Sequence, residues 1–109
     1  MEKLEKILKV YCLYDKEINV YECFMTSFAD TDALDSYFDL FRNMIFAHDS
    51  EDDLSKINEK FKNTCIVKLA DFDNLKGEFI NDKNILVDYL DIQIIKNYFK
   101  KSEVKENNV

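Results

Sequence analysis

The chain has 109 residues, a hydrophobic content of 47% and a formal net charge of −7, which suits one folded domain and excludes a disordered chain. No apolar run approaches the roughly 18 residues of a membrane-spanning helix. The charged residues 1–6 also lack the apolar stretch of a secretion signal. We therefore expect a protein that works in the cytoplasm, away from membranes.

Two strands are predicted near the start of the chain. Residues 8–14 and 18–24 are rich in β-branched and aromatic side chains, and the break between them is so short that the strands must be antiparallel. Residues 25–29 are expected to form a loop. Four aromatic rings on these strands allow two interpretations. If they face solvent, they can stack on unpaired bases, but we favour packing in the core or pairing across strands. These rings are Tyr11, Tyr14, Tyr21 and Phe24.

An amphipathic helix is predicted over residues 32–47, where apolar side chains recur every three or four positions. The polar side of this helix is expected to face water, with Asp35, Asp39 and Arg42 on it. The preceding residues are expected to supply the N-cap and negative charge in the first turn. They are Asp30, Thr31 and Asp32. The recurring apolar residues are Leu34, Phe38, Phe41 and Ile45.

A second, shorter helix is predicted after residue 50. Ser50, with Asp53 three positions later, resembles a capping box, in which the serine hydroxyl accepts a hydrogen bond from a free backbone N–H. Leu54, Ile57 and Phe61 would supply its apolar face.

A β-hairpin is predicted over residues 65–80 and is expected near the centre of the sheet. Apolar and polar residues alternate at 65–70, as in a strand. The connection 73–77 ends in Gly77, the only glycine of the chain, at a position that favours positive φ. Asp73 is interpreted as the residue that pins the turn through its side chain, although Asp71 and Asp73 together also invite a metal hypothesis.

Residues 81–84 are predicted as a turn, and residues 85–99 allow two interpretations. Either a strand over 85–90 precedes a helix over 91–101, or one helix has an apolar stripe wide enough to be held from two sides. We favour a helix over much of 88–100. The wide stripe predicts a homo-oligomer formed through residues 85–99.

These elements predict an α+β domain, with a small antiparallel sheet of two hairpins in the order ββαββα and helices packed on one face. The domain is expected to span residues 1–101. Residues 102–109 are polar and are expected to form a disordered tail.

The residue inventory argues against an enzyme. One glycine and one histidine exclude a P-loop, a dinucleotide-binding fingerprint, a nucleophile elbow and most Cys/His dyads. His48 is interpreted as a helix C-terminal histidine, and Cys12, Cys23 and Cys65 as small buried thiols without metal-site spacing. The acidic run 49–53 lacks the turn glycine of a calcium loop. We expect no catalytic residue, no metal and no cofactor.

The net negative charge is concentrated in one part of the chain. Eight acids and one base lie between residues 30 and 53, a balance of −7 that equals the charge of the whole chain. This acidic patch predicts a docking surface for a basic protein, or a mimic of DNA phosphates. Its predicted contact residues are Asp32, Asp35, Asp39, Asp49, Glu51, Asp52 and Asp53.

Three segments carry a family resemblance through their order and spacing. The first, at 11–16, reads Tyr-Cys-Leu-Tyr-Asp-Lys, and the second, at 28–40, begins Phe-Ala-Asp-Thr-Asp-Ala-Leu. The third, at 66–79, joins a strand ending in Phe-Asp to Gly-Glu-Phe after a turn. Together they resemble the small non-structural protein of gokushoviruses, the single-stranded DNA phages of the microvirus family. The resemblance implies a DNA-binding, non-enzymatic accessory of phage DNA synthesis or packaging in the host cytoplasm.

Single-stranded DNA is therefore the first expected partner, and a basic phage or host protein is the alternative. Because neutralising phosphates with lysine and arginine supplies most of the affinity for nucleic acid, we expect DNA on the lysine-rich C-terminal helix or on the hairpin. The predicted contacts are Lys68, Lys76, Lys96, Lys100, Lys101, Tyr11 and Tyr21.

Overall fold

The computed structural model describes residues 7–48 and 50–107, with side chains through residue 100. It confirms the α+β class: four antiparallel strands form one sheet in the order β2-β1-β3-β4, with three helices. Of the hairpin expected near the centre, β3 is internal and β4 is an edge. The elements are β1 Ile7–Asp15, β2 Val20–Ser27, α1 Asp30–Phe46, α2 Glu51–Lys62, β3 Thr64–Asp73, β4 Glu78–Val87 and α3 Ile92–Asn107.

An aspartate pins the turn of each hairpin. After β1, Asp15 Oδ1 accepts a hydrogen bond from the backbone N–H of Glu17 at 2.9 Å. After β3, Asp73 Oδ1 accepts from the N–H groups of Leu75 and Lys76 at 3.0 and 3.2 Å. The predicted role of Asp73 is confirmed, and the same device closes the first hairpin.

Gly77 ends the second turn with a φ of +68°, a conformation that strains any residue with a Cβ. We expect Gly77→Ala to lower the free energy of unfolding by about 1 kcal/mol, through backbone strain alone, since an added Cβ would meet no atom within 4 Å. Urea denaturation measures this loss. Asn74→Ala, at an exposed position of the same turn, is the control and should change stability by less than about 0.5 kcal/mol. Equal losses would contradict the strain argument.

The main core lies between the sheet and the helices. Tyr11, Leu13 and Ile66 contribute from the strands, and Phe41 lies in the middle of the helix layer. The Phe41 ring is 5.3 Å from the ring of Phe61 on α2, measured between centroids. The other buried members are Ala33, Tyr37, Phe38, Ile45, Ile57, Leu90 and Ile95. The apolar faces predicted for the first two helices are therefore confirmed.

Two segments predicted to be irregular are strand. Residues 81–84 belong to β4, where Asp82 pairs with Lys68 and Lys83 bonds Tyr21. Their polar composition suggested a turn, but an edge strand accommodates polar side chains. Residues 25–27 belong to β2, and Met25 packs against the core. The turn over residues 81–84 was wrong, and the loop over 25–29 was wrong for 25–27 and correct for 28–29. Partners distant in the chain decide these conformations.

The favoured helix over residues 88–100 was placed too early. β4 continues to Val87, and α3 begins at Ile92, where Asp91 Oδ1 accepts a hydrogen bond from the N–H of Ile94 at 2.8 Å. The alternative of a strand followed by a helix is the observed one. The wide apolar stripe arises because two elements, not one helix, contribute to the core. α3 runs to Asn107 and so includes residues 102–107 of the predicted tail.

The helix starts were predicted in part correctly. Ser50 caps α2, because its Oγ accepts a hydrogen bond from the N–H of Asp53 at 3.1 Å. α1 instead begins after Ala29, without a side-chain cap. The expected N-cap was wrong, because the Asp30 carboxylate accepts a hydrogen bond from the Tyr11 hydroxyl. Acidic residues do occupy the first turn of α1, as predicted.

Candidate nucleic-acid interface

Two of the predicted DNA contacts are buried. Tyr11 lies in the core, and its hydroxyl donates to Asp30 at 2.5 Å. Lys68 is 6% exposed, with Nζ 2.8 Å from Asp71 Oδ1 and 2.7 Å from Asp82 Oδ2. Because Lys68 is paired with Tyr11 in the register between β1 and β3, it lies on the face that carries the core. Both predictions were therefore wrong.

Electrostatics explain how the buried ammonium is held. Burial opposes the charged form of Lys68, but the hydrogen bonds that its ammonium donates to Asp71 and Asp82 outweigh this effect and raise the pKa of the lysine. The same bond lowers the pKa of Asp82. Since Asp71 is taken by Lys68 and Asp73 by its turn, the two aspartates do not form the metal pair that their spacing invited.

Tyr21 is partly exposed and belongs to a cross-strand pair, as favoured from the sequence. Its ring centroid lies 4.6 Å from that of Tyr14. Lys83 reaches this pair from β4, with Nζ 2.7 Å from the Tyr21 hydroxyl and 4.9 Å from the ring centroid. This contact raises the pKa of Lys83. Sequence reasoning missed Lys83, because its segment was predicted to be a turn.

Lys96 and Lys100 lie one turn apart on α3, so that their side chains share one side of the helix. Together with Arg42 on α1 they line a groove of about 200 Å³ between the two helices. Its other lining residues are Ile45, Phe46, Ile95 and Phe99. We call this site the basic groove. Lys76 lies in the β3–β4 turn, and the side chain of Lys101 is outside the described residues.

Arg42 belongs to this site although the sequence pattern assigned it to water. Its guanidinium carbon lies 4.2 Å from the centroid of the Phe99 ring, a cation–π distance. Its Nη2 donates to Asp39 Oδ1 at 2.9 Å, and its Nε is buried without a hydrogen bond. Phe46 is 74% exposed at the edge of the groove. The helical pattern cannot predict this arrangement, because α3 creates it.

The groove is supported by firm packing between α1 and α3. The Tyr98 ring stacks on Phe38, with centroids 4.1 Å apart and planes 2° apart. The Tyr98 hydroxyl donates to Asp35, and burial together with this bond raises the pKa of Tyr98 to about 12. Ile95 is buried in the core. The positions of Lys96 and Phe99 therefore follow from contacts made by their neighbours.

The acidic patch divides into two groups with different environments. Asp35 and Asp39 are exposed but accept intramolecular hydrogen bonds, from Tyr98 and Arg42 respectively. Residues 51–53 are exposed at the start of α2, beyond the far end of α1, a helix of 17 residues and about 25 Å. Asp32 is exposed in the first turn of α1. Asp49 lies outside the described residues.

The remaining reactive residues do not assemble a site. His48 Nδ1 lies 2.8 Å from the carbonyl oxygen of Met44, as expected for a helix C-terminal histidine. Cys12 and Cys65 are buried as predicted, and burial raises both pKa values, that of Cys12 to about 11. Cys23 is exposed, so its predicted burial was wrong; it lies at the irregular part of β2. Within residues 7–48 and 50–107, no three His, Cys, Asp or Glu residues are placed to hold a metal ion.

Comparison with known proteins provides no relative from which a function could be inferred, so the functional argument rests on the fold and the groove. No family model, no curated protein and no solved structure matches this chain. None of the helices in the described part of the chain is long and apolar enough to cross a membrane. The gokushovirus resemblance therefore stays a prediction, and the geometry of the basic groove carries the functional argument.

Proposed function

We propose that the protein is a non-enzymatic accessory that binds single-stranded DNA through the basic groove. The observation that carries this proposal is the meeting of three cations with two phenyl rings: Arg42, Lys96 and Lys100 surround a cleft bordered by Phe46 and Phe99. Cations neutralise phosphates, and exposed rings stack on bases. Single-strand binders combine these two contacts.

The groove overcomes a difficulty posed by the overall charge. A protein at −7 repels DNA at long range. Within the groove, Arg42 is paired with Asp39, so the phosphate contacts fall to Lys96 and Lys100. The expected binding is therefore local and strongly salt-dependent. Single strands are favoured over duplex because their bases are free to stack on Phe46.

The proposal agrees with what the family resemblance implies. A gokushovirus-like accessory would act on phage DNA during its synthesis or packaging, in the host cytoplasm. Two of the lysines expected to contact DNA, Lys96 and Lys100, line the groove.

A second candidate function rests on a separate observation. Glu51, Asp52 and Asp53 are consecutive, exposed carboxylates at the start of α2, which would suit docking of a basic replication, capsid or host protein. This candidate predicts no dependence on Lys96 or Lys100. Variants in the groove therefore separate the two functions.

Replacing both groove lysines should weaken DNA binding. We expect Lys96→Ala with Lys100→Ala to lower affinity for a labelled strand of about 30 nucleotides by about tenfold at low salt. The slope of log affinity against log salt should also fall by about 1.4, because two phosphate contacts are lost. Fluorescence anisotropy at two salt concentrations measures both quantities. An equimolar duplex serves as the comparison ligand.

The matched control removes the same charge elsewhere. Lys16→Ala with Lys56→Ala takes two exposed lysines from the β1–β2 turn and from α2 and should change affinity by less than about twofold at equal salt. Equal losses in both double variants would show that only net charge matters. Absence of binding by the unmodified protein at low salt would reject the proposal and favour the acidic docking surface.

A further inference from the structure

The sheet has a second face that none of the three described helices covers. The side chains of Cys12, Cys65 and Val67 form their own buried cluster, with Tyr14 and Leu69 against it, separate from the main core. Strand alternation and the register place further apolar residues beside them. We call this surface the open face. Its other apolar members are Leu8, Val10, Tyr21, Phe24, Phe72, Phe79 and Ile85.

Large side chains on the open face are exposed to solvent. Phe24 is 61% exposed and Ile85 58%, on the two edge strands β2 and β4. Phe79 is also exposed, and its ring lies 4.9 Å from that of Phe72. A continuous apolar surface of this extent marks an interaction site.

The open face also differs from the rest of the surface in charge. In the described strands, the register and the ion pairs place the carboxylates on the opposite face, where Asp15 and Glu22 meet Lys60, and Asp71 meets Lys68. Among the described strand residues, Lys83 is the one charged side chain on the open face, and its ammonium donates to the Tyr21 hydroxyl. Two copies of this strongly acidic chain can therefore approach each other here without bringing carboxylates together.

The size of the open face suits a homodimer. Four strands spaced about 4.8 Å apart and up to ten residues long give a flat area of roughly 600 Å². A dimer of two such faces would therefore bury about 1,200 Å² in total, estimated from the flat area without the extra surface of protruding side chains. This area reaches the lower limit of stable interfaces. Single-stranded DNA is a poorer occupant, because a nucleic-acid surface requires several cations and this face carries only Lys83.

We propose that two copies of this chain pack their open faces against each other as a β-sandwich. The same patch on both copies would form an isologous contact, with the exposed rings of each copy between the sheets. This site differs from the predicted oligomer surface at residues 85–99, since of that stretch it includes only Ile85, which pairs with Val67 in the register of β3 and β4. The basic groove lies in the helix layer, so the dimer leaves both grooves accessible, and the proposal does not depend on DNA binding.

Sedimentation velocity of the full chain tests the dimer. We expect a species of twice the 13.0 kDa chain mass at a protein concentration of about 100 μM. Phe24→Asp with Ile85→Asp should raise the dimer dissociation constant at least about a hundredfold, since two desolvated charges per copy would enter the interface. Both positions are exposed on edge strands, so the monomer should fold, and circular dichroism checks this. Phe79→Asp is a second variant at the other end of the face and should act in the same direction.

The control is Leu40→Asp, which places the same charge at a residue 40% exposed on the outer side of α1. It should leave the dimer unchanged. A wild-type protein that stays at 13.0 kDa over the whole concentration range would overturn the proposal. So would a dimer that survives Phe24→Asp with Ile85→Asp, or one that Leu40→Asp dissociates. The dimer proposal would also be overturned if the wild-type protein is a monomer and the open-face variants lose DNA binding. That result would assign the open face to DNA.

Discussion

Phe41→Ala is expected to lower the free energy of unfolding by about 3–5 kcal/mol, the range for removing a buried phenyl ring. Phe41 is 1% exposed and packs edge-on against Phe38 and Phe61, at centroid distances of 5.8 and 5.3 Å. It therefore joins α1 to α2 at the centre of the core. Since domains of this size have a total stability of about 5–15 kcal/mol, the variant should be near the limit of folding. Urea denaturation at pH 7 measures the loss.

The matched control lies on the same helix. Phe46→Ala removes the same ring from a position that is 74% exposed, so it should cost less than about 0.5 kcal/mol. Similar losses at the two positions would contradict the placement of the core between the sheet and the helices. Because Phe46 borders the basic groove, the same variant should weaken single-strand binding while leaving stability nearly intact.

The parts of the fold that were predicted correctly are those determined by local sequence. The period of apolar residues in α1, the Ser50 cap of α2 and the turn held by Asp73 all depend on neighbours within a few positions. The middle of β4, residues 81–84, could not be found in this way. Asp82 and Lys83 are typical of a turn, and their place in a strand depends on Lys68 and Tyr21, which are distant in the chain.

The same distinction applies to the candidate site. Lys96 and Lys100 were predicted as DNA contacts because they belong to a lysine-rich C-terminal helix, and their spacing of four residues places them on one side of α3. Arg42 and Phe99 come together only when α3 packs on α1, which no local pattern encodes. Lys68 was misassigned for a related reason. It shares the core face of β3 with Ile66, as strand alternation implies, but its burial depends on Asp82 of β4, an ion-pair partner that no local pattern shows.

Lys68→Met should reveal how much the buried ion pair contributes. At pH 7 we expect a loss of stability of about 1 kcal/mol, because methionine keeps most of the side-chain volume but leaves the partly buried Asp71 without its cation, whereas Asp82 is 45% exposed and is solvated by water. Lys56→Met, at an exposed position of α2, is the control. It should change the urea midpoint little, since no buried charge pair is broken.

The pH dependence provides the sharper test of this pair. The pKa of Asp82 is lowered by Lys68 in the folded protein, so its stabilisation is present above the unfolded carboxyl pKa of about 3.9 and is lost as pH falls through the folded value. The pKa of Lys68 is raised, so its contribution is complete below the unfolded lysine pKa of about 10.4. The stability difference between wild type and Lys68→Met should therefore be largest between about pH 5 and 9 and should shrink towards pH 3. Urea midpoints at pH 7, 5 and 3 measure this difference. A difference that stays constant from pH 7 to pH 3 would show that Lys68 stabilises the sheet through packing of its methylene chain, not through its charge.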